Sequence, residues 1–562
     1  MIKAIKKIYC HCEATWASLA LNKNRVIARR LCDEAIPNLL AAKPAFLYLL
    51  FALLSINTFA QTKPNTPTSP PAAADTSHEE KKEVEILRSD MLKFEDENGK
   101  KFTKLIGNVE LKQGRVLMWC DSANIDKETN SVDAWGRVHI NQDTVNAYSN
   151  FLKYDSEKKL ALLQGNAKLS DSKLILFTDE LFYDTKNKVS YYLTGGRVLK
   201  DSTVITSHNA HYYNMLHDVY FQGDVKITDP NYRLNSDTLK YNVDTKVSTF
   251  FGNTVIFNKN STIYCNNGWY DSKKDVSSFG KNTVIVNPPQ RMWADSLYYE
   301  RFRGFGKAIG YFKWVDSSMT TEIFGHYGEY TEARQYIMAT KNPLLIYKMD
   351  KDSLLLTSDT LKSMTKSEQD TVRNFFAYHK ARMFMKDMQG VCDSMFYSFE
   401  DSTFRMYYKP VVWTSDVQMS GDTIYLHTKN QKADNFSIYK NGFIVSPSGS
   451  KYYDQIKGTN VFGYFVDNEL NKLDVKGNGE SLYFGKDDKN KYIGSNKAVS
   501  TNIAIYFRDK KIDKIAFIKK PEAVFTPIKM LPKDQFQLKD FKWQIDRKPK
   551  TRAEMLRVVD MK

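Results

Sequence analysis

Six aspartates recur at one position of a repeat, and clustered carboxylates could hydrolyse a polysaccharide. Glycoside hydrolysis needs two carboxylates that converge at one place. Residues that return once per repeat are expected to form a ladder, so the pattern favours a structural turn role over catalysis. An enzyme is therefore the least favoured class, and no catalytic residue is assigned. The aspartates are Asp121, Asp179, Asp237, Asp295, Asp359 and Asp393.

Histidine and cysteine spacing predicts no metal site and no cofactor. His208 and His211 come closest to ligand spacing, but on a strand residues three apart point to opposite faces. Cys120, Cys265 and Cys392 follow no CxxC pattern. Each of these cysteines precedes Asp or Asn, which favours a small, buried, inward residue.

The element that must position these residues is a repeat of about 28 residues. It begins with a glycine and an apolar strand, as in Gly107–Leu111 and Gly136–Ile140, and continues with an aspartate followed by aromatic residues. Gly165, Gly196, Gly223, Gly252, Gly280 and Gly306 continue the series. A fixed period of this length indicates stacked copies of one supersecondary unit, whose function lies along an extended surface.

Alternation of apolar and polar residues predicts strands with one face in a core. The glycine is expected at a corner where a β-carbon would clash. The predicted inward positions, which would line an apolar groove, are Val109, Leu111, Val138, Ile140, Ala167, Leu169, Val225, Ile227, Val255 and Phe257. The pattern alone leaves open whether the interior is a groove or a filled core.

The N-terminus has the features of a secretory signal peptide over residues 1–60. An apolar run at 45–56 follows Lys43, and Ala60 is a small residue at the expected cleavage point. The predicted organisation continues with a disordered linker at 61–87, regular repeats at 88–345, less regular repeats at 346–450, and a β-rich cap or docking region at 451–562. The net charge of +16 favours anionic partners. No basic helix or nucleic-acid motif accompanies it, so a nucleic-acid partner is not predicted.

The Gly-Asn-Val-x-Leu strands and the Asp-Ser-Ala/Leu-x-Tyr strands, behind a signal peptide, resemble the OstA/LptA family. Residues 451–562 are similar to the long OstA-like proteins of Bacteroidetes. The resemblance implies an all-β fold, an extended twisted β-jellyroll open along one side, whose interior holds acyl chains. It also implies a periplasmic protein of lipopolysaccharide transport, associated with the outer membrane.

On this resemblance we expect a non-enzymatic bridge or chaperone for lipopolysaccharide or a related glycolipid. Expected partners are other jellyroll components, which would join through edge strands, and the outer-membrane translocon. The chain is too short after its repeats for a barrel of many transmembrane strands. The alternative from another class is a β-solenoid surface scaffold or adhesin that carries no lipid.

Overall fold

Pairs of neighbouring antiparallel strands, each bent at its middle, make up almost all of the structure. The computed structural model describes residues 83–557, except 98, 350–351, 371, 430–431, 467–468 and 509–510. The predicted signal peptide and most of the predicted linker therefore lie outside the described residues. Strand β1 begins at Glu85, inside the segment predicted as a linker. The all-β prediction is confirmed, since 37 strands of the described chain join in antiparallel pairs.

The strands up to residue 331 are β1 (Glu85–Arg88), β2 (Met91–Glu97), β3 (Lys100–Gln113), β4 (Val116–Asp126), β5 (Val132–Gln142), β6 (Val145–Asp155), β7 (Leu160–Ser170), β8 (Ile175–Asp184), β9 (Val189–Tyr192), β10 (Gly196–Lys200), β11 (Thr203–Ser207), β12 (Asn209–Tyr213), β13 (Asp218–Thr228), β14 (Arg233–Asn242), β15 (Val247–Phe257), β16 (Thr262–Asp271), β17 (Val276–Phe279), β18 (Thr283–Asn287), β19 (Gln290–Glu300), β20 (Phe305–Asp316) and β21 (Thr321–Thr331).

The later strands are β22 (Tyr336–Thr340), β23 (Leu344–Lys348), β24 (Ser353–Thr357), β25 (Thr360–Thr365), β26 (Arg373–Phe384), β27 (Met388–Ser398), β28 (Thr403–Tyr407), β29 (Val411–Thr414), β30 (Val417–Ser420), β31 (Thr423–Lys429), β32 (Lys432–Ser448), β33 (Tyr452–Val466), β34 (Glu469–Lys486), β35 (Tyr492–Arg508), β36 (Lys511–Ile518) and β37 (Glu522–Pro527). The described helices are α1 (Arg552–Leu556) and four single 3₁₀ turns, Arg301–Arg303, Ala333–Gln335, Lys533–Gln535 and Ile545–Arg547.

Each long strand bends at a corner and so contributes to two arms. At the corner the pairing register shifts, as between Ile106 and Val109 where β3 pairs with β4. We call two kinds of strand half arm A. One kind follows a glycine corner, as Val109–Gln113 does, and the other precedes an aspartate corner, as Val116–Trp119 does. Arm B contains the other halves, such as Ser122–Asp126. Inward side chains of both arms meet in one hydrophobic core that extends from Leu105 to Ile505.

The corner explains the repeating glycine. Gly136 has φ +72°, and a β-carbon there would lie 2.3 Å from Oδ2 of Asp121 on the preceding strand. Only glycine combines this backbone conformation with so close an approach. Three members of the predicted series, Gly196, Gly280 and Gly306, lack positive φ; near the first and the last of them, the corner glycines with positive φ are Gly195 and Gly310.

The ladder of paired strands continues without a break in pairing through residues 346–450 and as far as β37. After β37 the chain turns back and lies across the outer face of arm A; we call residues 528–557 the C-terminal strap. Buried glutamines of arm A hold it: Leu538 N donates to Gln455 Oε1 at 2.8 Å, and Gln418 Nε2 donates to the carbonyl of Lys542 at 2.7 Å. Met555 of α1 is buried against Phe324 and Leu344.

Candidate functional site: an interior cavity between the two arms

The repeating aspartates accept hydrogen bonds from the neighbouring corner. Arg137 Nε donates to Asp121 Oδ1 at 2.8 Å, Asn253 N donates to Asp237 Oδ2 at 3.0 Å, and Tyr311 N donates to Asp295 Oδ2 at 2.9 Å. Lys380 lies 3.4 Å from Asp359, and His379 lies 3.5 Å from Asp393. Asp179 occupies the same corner of β8. The geometry agrees with a structural role, since the carboxylates are distributed one per step and stabilise the bend.

The histidines and cysteines of the described chain also have packing roles. His208 is a corner residue whose Cβ faces Gly223, and His211 stacks on Tyr191 with ring centroids 5.1 Å apart. Cys120, Cys265 and Cys392 are buried, and burial raises the pKa of each thiol to about 12. No group of three or more His, Cys, Asp or Glu residues among the described ones could hold a metal ion.

Eight of the ten predicted groove positions point inward but lie in a filled core. Their side chains are at most 1% exposed, and they are Val109, Leu111, Val138, Ile140, Ala167, Leu169, Val225 and Ile227. The inward prediction is wrong for Val255 and Phe257, which are half-buried on the outer face. The inward residues of that strand are Thr254 and Ile256. None of the ten lines either of the two cavities described below, of about 490 and 220 Å³.

We call residues 100–228 the closed section, because hydrogen bonds bridge the two arms there. The turns of arm A face the turns of arm B along a line that we call the seam. Tyr154 Oη donates to Gln113 Oε1, and Tyr183 Oη donates to Gln142 Oε1, each at 2.5 Å. Tyr212 Oη donates to Asp171 Oδ2 at 2.5 Å. Each bridge joins residues 41 positions apart, so one contact repeats along the seam.

Residues 232–337 form what we call the hollow section, where a cavity of about 490 Å³ lies between the arms. This volume falls within the range of roughly 300–1,000 Å³ found for small-molecule sites. Its wall is mostly apolar and includes Leu234, Ile256, Ile263, Phe279, Ile285, Met292, Leu297, Ala308, Phe312, Trp314 and Ile337. The inward side chains of Ile285 and Met292 are only half-buried, so solvent reaches the interior there.

In the hollow section, Tyr270 and Tyr299 have other partners than the equivalent tyrosines of the closed section. The repeat would pair Tyr270 with Asp229 and Tyr299 with Asn258, again 41 positions apart. Instead Tyr270 Oη donates to Asp275 Oδ1 at 3.0 Å and Tyr299 Oη donates to Glu332 Oε1 at 2.6 Å, so both hydroxyls stay on arm B. Burial raises the pKa of Tyr270 to about 12, which keeps its hydroxyl a hydrogen-bond donor at neutral pH.

Charged side chains border the cavity where it meets solvent. Lys259 and Arg291 are exposed on arm A, and Arg301 is exposed on arm B. Asp275 and Glu332, the acceptors of the two tyrosines, lie on the arm B side of this rim. An apolar interior with cations at its mouth suits an amphiphile with an anionic head group.

Sequence analysis did not single out the tyrosines that separate the two sections, although a signal was present. Tyrosines recur every 29 residues at the inward end of arm B; they are Tyr154, Tyr183, Tyr212, Tyr241, Tyr270 and Tyr299. The spacing marks them as one structural row. It does not reveal which of them bridge the seam.

Comparison with known proteins supports the resemblance over the first part of the chain. Residues 81–237 match the family model described as OstA-like protein, which confirms the OstA/LptA-like resemblance for that region. No curated protein matches the chain. Among solved structures the chain is similar to LptH of Pseudomonas aeruginosa, described as the LptA homologous periplasmic component of the conserved lipopolysaccharide transport device.

The similarity to LptH has 14% sequence identity, covers 20% of this chain and 76% of LptH, and has a TM-score of 0.17. The family match ends at residue 237, so it covers the closed section and only the first residues of the hollow section. Among the described residues, no helix has both the length and the hydropathy needed to cross a membrane.

Proposed function

We propose that this protein is a non-enzymatic bridge or chaperone that binds lipopolysaccharide or a related glycolipid in the periplasm and carries it towards the outer membrane. The observation that carries the proposal is the cavity of about 490 Å³ in the hollow section. Apolar side chains from both arms line it, and the removal of each CH₂ group from water there contributes about 0.8 kcal/mol. An OstA-like region directly before the cavity supports the same function.

The sheet edges support docking to other jellyroll components and to the outer-membrane translocon. Among the described residues, β1 and β2 pair on one side only, with β3, and Leu87, Met91 and Phe94 are exposed on them. At the other end β37 pairs only with β35, and Val524 and Phe525 are exposed. Unpaired strand edges are templates for strand addition.

The alternative function is a surface scaffold or adhesin without lipid. One observation favours it: the closed section has the filled interior that a scaffold needs. The two functions differ in whether the hollow section contains lipid when the protein is isolated from cells.

The test is mass spectrometry of lipid that co-purifies with the protein from a lipopolysaccharide-containing envelope. Ile285→Asp places a charge on the cavity wall, and we expect this variant to lose a lipid A-type glycolipid that the wild-type protein retains. Val284→Asp is the matched control, because Val284 is the adjacent half-buried residue on the outer face. Wild-type protein that is free of lipid and takes up no added lipopolysaccharide would favour the scaffold.

A further inference from the structure

A buried arginine stands at the far end of the hollow section. Arg373, the first residue of β26, is fully buried on arm B. Its Nη1 donates to the carbonyl of Gln335 at 2.9 Å, and its Nη2 donates to Gln335 Oε1 at 2.9 Å. The guanidinium lies 5.0 Å from the ring centroid of Trp314, a residue of arm A that lines the cavity. One cation–π contact therefore joins the two arms at this point.

An apolar chain beside the side chain of Arg373 would be energetically unfavourable. Its guanidinium remains charged in proteins, and Nε has no hydrogen-bond partner among the described residues. Burial lowers the pKa of Arg373, while the nearby charge of Asp316 acts in the opposite direction. A hydrocarbon pushed between Arg373 and Trp314 would remove the cation–π contact without replacing it, and buried charge without compensation is costly.

Aromatic side chains complete the closure behind Arg373. Phe375 lies two residues further along β26, on the same inward side. Its ring centroid is 6.4 Å from that of Tyr347 and 5.1 Å from that of Phe399. Tyr347 and Phe399 line a second, smaller cavity of about 220 Å³. Arg373 and Phe375 therefore lie between the two cavities. We call Trp314, Arg373 and Phe375 together the partition.

The other end of the hollow section is closed too. The core of the closed section is filled, and its seam is bridged by Tyr154, Tyr183 and Tyr212. Ion pairs also cross the seam: Lys188 lies 2.6 Å from Asp143 within the closed section, and Lys246, near the start of the hollow section, lies 2.8 Å from Asp201 of the closed section. In the hollow section, the inward tyrosines Tyr270 and Tyr299 bond instead to Asp275 and Glu332, on their own arm B.

We propose that the hollow section is a separate, closed-ended compartment for the acyl chains of an anionic glycolipid. The ligand enters and leaves sideways, through the seam near Lys259, Arg291 and Arg301, and does not slide through the interior of the chain. This inference rests on the proposed function and changes its mechanism. The chain holds its cargo at one place and exchanges it laterally, in contrast to a continuous trough in which the cargo would move from end to end.

The test uses photo-crosslinking from three buried phenylalanines, each replaced in the full chain by p-azidophenylalanine. Phe221 lies in the closed section, Phe279 lines the hollow section, and Phe404 lines the second cavity. The probe is purified lipopolysaccharide. We expect a crosslinked product from position 279 and only background from positions 221 and 404. A product of similar yield from position 221 or 404 would overturn the compartment. No product from any position would reject the proposed function, and the compartment with it.

A second variant tests the partition itself. Trp314→Ala removes the arm A side of the partition and leaves position 279 intact. In this background we expect crosslinking at position 404 to rise above background while the product at position 279 persists. Circular dichroism and the yield at position 279 report whether the variant is folded. A folded variant without any gain at position 404 would show that Trp314 and Arg373 are not what confines the ligand.

Discussion

The closed section and the hollow section have the same corners and different seams. In both, an aspartate accepts hydrogen bonds at the bend, as Asp121 does from Arg137 and Asp295 does from Tyr311. In the closed section the last inward tyrosine of a strand reaches across to arm A, as Tyr183 does to Gln142. In the hollow section the equivalent tyrosine bonds within arm B. The bend is therefore common to both sections, and the tyrosine partner changes where the interior is no longer filled.

The difference between the two interiors also separates the region that stabilises the fold from the region that could bind a ligand. A filled interior stabilises the sheet through close packing, while a cavity gives up part of that stabilisation. The cavity persists because strand pairing on both arms continues through it, from β15 to β21. Sites that depart from the local rule of a repeat are expected to be functional ones.

The largest expected effect is on packing. Ile140→Ala in the closed section should lower the local free energy of unfolding by about 2–5 kcal/mol, because it leaves a void among fully buried neighbours. Ile285→Ala in the hollow section should cost less than about 2 kcal/mol, because that side chain is half-buried and already borders a cavity. Hydrogen exchange of the altered strands and their neighbours measures both values. Equal losses would remove the distinction between the sections.

The corner should behave alike in both sections. Gly136→Ala and Gly310→Ala each force a residue with a side chain to φ near +72° and +85°, with Cβ 2.3 Å and 2.8 Å from the nearest aspartate oxygen. We expect each to cost more than about 1 kcal/mol, measured as a shift of the urea unfolding midpoint. Gly485→Ala is the control, since its β-carbon would have ordinary contacts. A loss confined to one section would show that the corners are not equivalent.

The tyrosine bridges should matter only where they cross the seam. Tyr183→Phe removes a buried hydrogen bond to Gln142 and should cost about 0.5–1.5 kcal/mol. Tyr299→Phe removes a bond to the exposed Glu332, and water can solvate that carboxylate, so the loss should be smaller. Urea unfolding followed by circular dichroism compares the two variants. If Tyr299→Phe were the more damaging, the seam would not be the origin of the closed section's stability.

The sequence was sufficient for the fold and for most of the inward residues. The alternation after each glycine correctly places Val109 and Ile140 inside. It fails at Val255 because the inward set again starts two residues after the glycine, and here that residue is Thr254, a polar residue that obscures the pattern. An inward position of the repeat is therefore not always occupied by an apolar residue.

The cavity could not be predicted in the same way. Tyr183 and Tyr299 occupy one repeat position and have the same side chain. Which way each hydroxyl turns depends on acceptors that lie 41 residues before it or 33 residues after it, Gln142 for the first and Glu332 for the second. The partition depends on Arg373 and Trp314, which are far apart in the chain and follow no period.

The smallest effect concerns the ion pairs that Asp143 and Asp201 of the closed section form across the seam with Lys188 and Lys246. The hydrogen bond from Lys188 lowers the pKa of Asp143, and those from Lys246 and Lys200 lower the pKa of Asp201, in each case from an ordinary value of 3.8. A carboxyl with a depressed folded pKa stabilises the fold above its unfolded pKa, and this contribution disappears as pH falls through the folded value. The pairs should therefore stabilise the fold fully at neutral pH and lose this contribution progressively as pH falls from about 3.8 through the lower folded pKa values.

The variant that removes both lysines, Lys188→Ala with Lys246→Ala, should lower the urea midpoint slightly at neutral pH and low salt. The difference from wild type should vanish at acid pH, and also at high ionic strength, because these groups are exposed and salt screens them. Lys281→Ala, at an exposed position of the hollow section, is the control. A difference that persists in acid would mean that the lysines act through packing of their aliphatic chains against the seam, and the ion pairs would then have no part in the contrast between the sections.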